Sequence, residues 1–183
     1  MCTISARLAV MVALAASSMC VVATDLSYSR SATLIKSEIV KRGAKPVVDE
    51  LFQDQRAWER VLKQIETGRA DWVAAAASLA AGTDAGSSET LDIALFCALD
   101  KSPGPVLNAT PDNRVEFVCS SNFMNDRPAD NLALQAIRIR IHAVQAVVTP
   151  SLHAKRDACL EGLHDSEQVW QRVAKAPSSS APQ

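Results

Sequence analysis

The sequence predicts an all-α protein: one domain of packed antiparallel helix pairs, HEAT-like or an orthogonal bundle, with about six to eight helices. Three observations predict it. Apolar residues recur at three- and four-residue steps along most of the chain. Single glycines and prolines interrupt those stretches at intervals of helix length. Only one segment, 136–148, carries the two-residue period of a strand.

Taken in order, Thr24 to Ser31 is polar, and Ser31 is placed to cap a helix carrying Leu34, Ile35, Ile39 and Val40 on one side. Gly43 ends it, and Pro46 at a first helical position starts a short segment through Phe52. Asp54 caps the next helix, whose stripe is Trp58, Val61, Leu62 and Ile65, and Gly68 closes it. The spacing of Trp72, Val73, Ala76 and Leu79 predicts a helix over 70–81, where the four alanines 74–77 permit close approach of a neighbour. Gly82 ends that helix. The turn 82–88 offers several caps, and Leu91, Ala94, Leu95 and Ala98 form the next buried stripe. Pro103-Gly104-Pro105 breaks it, and Asn108 to Arg114 reads as turn.

Val115 to Cys119 is either extended or one helical turn, and Ser120 to Asp126 is a loop. Pro128 opens a long helix to about Val148, and Thr149-Pro150 starts another to about residue 174; a single proline-kinked helix is the alternative. Ile137, Ile139 and Ile141 alternate with Arg138, Arg140 and His142, but the apolar flanks and the length of the window favour helix. The predicted domain runs 24–176, followed by a disordered tail, 177–183. Between Asp54 and Leu107 two helix pairs follow one another, and neither buries its apolar face alone, so stacking is the expected arrangement.

Residues 1–23 read as a signal peptide. Arg7 precedes the apolar run Leu8 to Ala16, and Val21 to Ala23 supplies small residues for cleavage after Ala23. A spanning helix needs roughly 20 apolar residues, and Ser17 and Ser18 interrupt this run early. A retained anchor and a lipid-modified Cys20 are the alternatives. The expected location is therefore periplasmic or secreted. The full chain has 19 Lys and Arg against 20 Asp and Glu, a net charge of −1. That balance provides no general attraction for nucleic acid or an anionic bilayer, so neither nucleic-acid binding nor stable membrane insertion is expected. Cleavage leaves Cys97, Cys119 and Cys159. In an oxidising compartment two of them are expected to pair. Cys97 lies in an apolar run and reads as a small core residue, which favours Cys119–Cys159, with Cys97–Cys119 as the alternative.

The run Trp58, Val61, Ile65, Gly68, Trp72, Leu79, Gly82-Thr83-Asp84-Ala85, Glu89, Leu91, Ala98-Leu99, Pro103 and Val106-Leu107 resembles a family of small exported bacterial proteins of uncharacterised function. Val118-Cys119 and Arg156-Asp157-Ala158-Cys159-Leu160 fit the same pattern. The resemblance covers about two thirds of the chain beyond the leader. It implies an all-helical fold, a bacterial envelope location and the Cys119–Cys159 pairing. It implies no activity, and Cys97 departs from it.

Chemistry-bearing residues are sparse. His142, His153 and His164 are spaced by eleven, which places neighbours roughly 16 Å apart on a continuous helix, too far to share a metal with ligand bonds of about 2 Å. No metal and no cofactor are expected. No serine stands in a Gly-x-Ser-x-Gly turn. Asp84, Glu89 and Asp92 read as caps and first-turn carboxylates rather than an acid–base pair. The candidate interaction residues are Phe123, Met124 and Arg127 in the 120–130 loop, with Arg138 and Arg140 on the following helix. The expected function is a non-enzymatic protein-interaction module of the bacterial envelope with an unidentified protein partner. A periplasmic binder of a small ligand or envelope polymer is the alternative, ahead of a cryptic hydrolase.

Overall fold

A computed structural model describes residues 26–120 and 130–175. Among these, the chain forms nine α-helices: α1 (Ala32–Arg42), α2 (Ala44–Gln53), α3 (Gln55–Glu66), α4 (Ala70–Ala80), α5 (Ala85–Ala98), α6 (Pro103–Ala109), α7 (Val115–Ser120), α8 (Asp130–Gln145) and α9 (His153–Lys175). Short 3₁₀ turns span Leu26–Arg30, Asp112–Arg114 and Pro150–Leu152. The predicted leader (1–23) and tail (177–183) lie outside the described residues, as do Phe123, Met124 and Arg127.

The helix starts follow local chemistry. Ser31 Oγ accepts from the Leu34 amide at 3.4 Å, and Asp54 Oδ1 accepts from the Ala57 amide at 3.1 Å. Asp84 and Ser87 form a reciprocal capping box: Asp84 Oδ1 accepts from the Ser87 amide at 3.1 Å, and Ser87 Oγ accepts from the Asp84 amide at 2.9 Å. Gly43 and Gly68 turn the chain at φ +85° and +74°, values an L side chain rarely adopts.

Packing follows the stacked-pair expectation. α3 lies chiefly on α5, and α4 on α1 and α6, so from α3 to α6 alternate helices stack on each other while α1 returns onto α4. α4 supplies Trp72, Val73, Ala75, Ala76 and Leu79 to the core, and α3 supplies Ala57, Trp58, Val61 and Ile65. Trp58 also donates to Thr90 Oγ1 at 2.9 Å and meets the edge of Phe52, with ring centroids 5.9 Å apart. Gly82 sits against the start of α2, where a Cβ would meet the carbonyl carbon of Ala44 at 2.4 Å. Its role is thus close backbone contact. Tyr28 donates to Glu50 Oε2 at 3.1 Å, and burial together with that carboxylate pushes its pKa up to about 12. Arg42 bridges Glu50 at 2.8 Å and covers the Tyr28 ring, fixing the first turn onto α1 and α2.

The C-terminal unit is α7, α8 and α9, with α9 packed on both others. Cys119 and Cys159 form a disulfide, with Cα atoms 5.1 Å apart, that joins α7 to α9. Residues 136–145 are helical, and α8 and α9 are separate helices joined through the Pro150 turn.

Several expectations change. Pro103-Gly104-Pro105 ends nothing alone. It opens α6, whose first turn needs no proline N–H. Leu34 and Val40 do not join the α1 stripe: they are 49% and 87% exposed, because α1 uses the narrower set Ala32, Ile35 and Ile39 against its neighbours. Cys97 is half-buried rather than a core residue, since it lies beside the buried stripe of α5.

Candidate functional site

α5 begins beside a cleft. Asp84 of the capping box and Ser88 stand at one wall, Leu91, Asp92 and Leu95 follow along the helix, and the chain from Ala109 to Arg114 closes the other side. The cleft encloses about 470 Å³. At its floor Arg114 Nη2 donates to Asp92 Oδ2. Asp92 is buried, and that burial raises its pKa above the usual carboxylate value, opposed by the charge and hydrogen bond of Arg114. Asp84 shifts the other way, lowered by the hydroxyl and amide of Ser87. The Arg114 guanidinium lies 5.2 Å from the centroid of Phe117, which is 59% exposed.

Ser88 Oγ donates to the Ala85 carbonyl at 3.1 Å, so its hydroxyl is spent locally. No histidine lines the cleft, and no nucleophile there faces a general base. His142, His153 and His164 are exposed, and among the described residues no three His, Cys, Asp or Glu side chains are grouped to hold a metal.

The residues singled out in the sequence are scattered. Cys119 and Cys159 are bonded to each other. Arg138 is on the surface, its Nε donating to Glu167 Oε1 at 2.7 Å. Arg140 is buried: it donates to the carbonyls of Phe96 and Ala136, both at 2.9 Å, and its guanidinium stacks 4.4 Å from the Phe96 ring centroid. Burial lowers its pKa, while the charges of Asp100 and Cys97 act in the opposite sense. The neighbouring Cys97 thiol is pushed up by burial, which disfavours the reactive thiolate. Lys155 and Arg156 are likewise turned inward, donating to the carbonyls of Thr110 at 2.6 Å and Val147 at 3.3 Å. Trp58, Trp72 and Trp170 are all buried, Trp170 on the helix that packs along both α7 and α8.

Sequence reasoning missed the Asp92–Arg114 pair. A signal was present. Asp92 stands at i, i+3, i+4 and i+7 with Leu95, Phe96 and Leu99, which puts it on the buried stripe. A carboxylate there requires a partner. Arg114 carries no such signal, because it lies in a polar turn.

Compared with known proteins, the chain matches no family model, no curated protein and no solved structure. What fold and site define is therefore a class: a disulfide-linked all-α domain with an open, half-polar cleft.

Proposed function

We propose that this protein is a non-enzymatic interaction module of an extracytoplasmic compartment, which takes a segment of a protein partner into the α5 cleft. The carrying observation is the half-buried Asp92–Arg114 pair at that cleft, with an exposed Phe117 next to it whose ring lies 5.2 Å from the same guanidinium. Aromatic side chains and arginines anchored by a buried partner are the groups that dominate interface energies. Asn113 stands at the wall with a polar side chain, and Leu91 and Leu95 offer apolar contact. Export agrees with the disulfide, since such bonds persist in oxidising compartments. It also agrees with the leader-like residues 1–23 and with the resemblance to small exported bacterial proteins. Among the described residues no helix is long and apolar enough to cross a membrane.

The volume of the cleft also lies within the usual range of small-molecule sites, roughly 300–1,000 Å³, which favours the ligand-binding alternative as second reading. One experiment separates the two. A photo-reactive amino acid in place of Asn113, at the cleft, and another in place of Gln168, on the exposed side of α9, are irradiated in native cells. A protein adduct formed from position 113 and lost on Arg114→Met supports the interaction module. Equal adducts from both positions, or none from position 113, count against it.

A further inference from the structure

A second cleft lies on another part of the molecule, between the first 3₁₀ turn, the start of α1, the end of α3 and the start of α4; it encloses about 350 Å³. Its lining carries Arg30, Arg60, Lys63 and Arg69 against one carboxylate, Asp71, a net of +3 in a chain whose overall charge is −1. Asp71 is committed within the site, accepting from Arg69 Nη2 at 2.8 Å and Nε at 3.2 Å. Arg30 and Lys63 are exposed and make no ion pair with any described residue. At the inner wall Ser29 is fully buried; its Oγ accepts from Arg60 Nη2 at 3.4 Å, and its own hydroxyl proton meets no acceptor among the described residues.

Two helices of 11 residues, α1 and α4, begin at this cleft, and α4 has no side-chain cap at its first residue. Helix starts present a positive dipole end, although here the Leu34 amide is taken by Ser31 and the Trp72 amide by the Arg69 carbonyl. Four cations, a buried hydroxyl donor and two helix starts thus surround one concavity.

We infer that this second cleft binds a phosphoryl group. The chemistry selects an oxyanion with several acceptor oxygens: arginines donate in a fork, Lys63 contributes a point charge, and Ser29 supplies a neutral donor. A free organic phosphate and a phospholipid headgroup share that chemistry. The volume admits a phosphate with a small substituent. This site is separate from the α5 cleft and stands or falls independently of it.

The test follows the backbone amides of Ala70, Asp71 and Trp72 by NMR in the oxidised protein at constant ionic strength. The probes are inorganic phosphate, glycerol phosphate, and vesicles of neutral lipid with or without phosphatidylglycerol. Saturable shifts in these amides, weakened at least fivefold by Lys63→Glu and by Arg30→Glu but unchanged by Lys175→Glu at the end of α9, establish the site. Saturation by glycerol phosphate identifies a soluble source; occupancy only by phosphatidylglycerol vesicles identifies a lipid headgroup. Shifts that do not saturate, or that all three charge variants weaken alike, reduce the effect to screening and overturn the inference. Both cleft substitutions are at exposed side chains, so folding is preserved, and unchanged amide spectra without phosphate verify this.

Discussion

The stacked helices α3 to α6 and the C-terminal unit α7 to α9 are joined by different physics. In the first region, two glycines permit close approach, Gly82 to backbone and Gly68 to side chains. Gly82 lies on the start of α2 with no room for a Cβ, and Gly68 lies against Lys101 and Ser102, with Ser102 Oγ donating to the Gly68 carbonyl at 2.5 Å. Alanines at 75 and 76 keep α4 close to its neighbours. In the second region, three cationic side chains end on carbonyls: Arg140 on Phe96, Lys155 on Thr110, Arg156 on Val147. The Cys119–Cys159 bond adds a covalent tie. Side chains ending on carbonyls occur in both regions, with Lys101 reaching the Glu66 carbonyl at 2.6 Å in the first; what separates the regions is the Gly82 contact that leaves no room for a Cβ in one and the disulfide in the other.

The sharpest way to break the first region is Gly82→Ala. The new methyl would stand 2.4–2.6 Å from the backbone of Ala44 and Lys45, which cannot rotate away. A loss on the order of 4 kcal/mol is expected, read as a lowered urea midpoint at unchanged slope. The corresponding break in the second region is the double replacement Cys119→Ala with Cys159→Ala. Opening a link between residues 40 apart is expected to cost about 3–4 kcal/mol on the chain-entropy view. Arg140→Ala comes next, at about 2–3 kcal/mol, because it leaves the Phe96 and Ala136 carbonyls without their charged donor and removes buried stem packing.

A pH experiment sharpens the picture at the α5 cleft. Burial raises the Asp92 pKa in the folded protein, so the native state holds that proton more tightly than the unfolded chain does. Stability from this group is therefore fully present below the ordinary carboxylate value and lost as pH rises through the raised folded value. Asp92→Asn is expected to remove that slope. Arg114→Met is expected to extend it to higher pH, because the neighbour that lowers the pKa is gone; carboxyl NMR titration of Asp92 reads the shift directly. The smallest effect is expected for Arg138→Ala. Its bond to Glu167 lies at an exposed arginine, and denaturation should register a change of about 0.5 kcal/mol or less.

Much of the first region was legible. Apolar stripes, capping residues and glycine stops mark α3, α4 and α5 closely, because each signal is local to its helix. The role of Gly82 was not, since the contact that requires it comes from a residue about forty positions earlier. α6 was hidden because a first-turn proline and a helix-breaking proline look alike until the following turn is seen to be covered. In the second region Arg140 was read as a surface cation, although it shares a stripe with Ile137, Ile141 and Val144. The α5 cleft was the least legible feature. Asp92 and Arg114 are 22 positions apart, and only the fold brings a carboxylate on a buried stripe to an arginine in a turn.

Native-state hydrogen exchange of the oxidised and the reduced protein tests the division between the two regions most directly. Reduction is expected to speed exchange in α7, α8 and α9 while α3 to α6 keep their protection. Equal acceleration across both regions, or unchanged protection in α7 to α9, would contradict it.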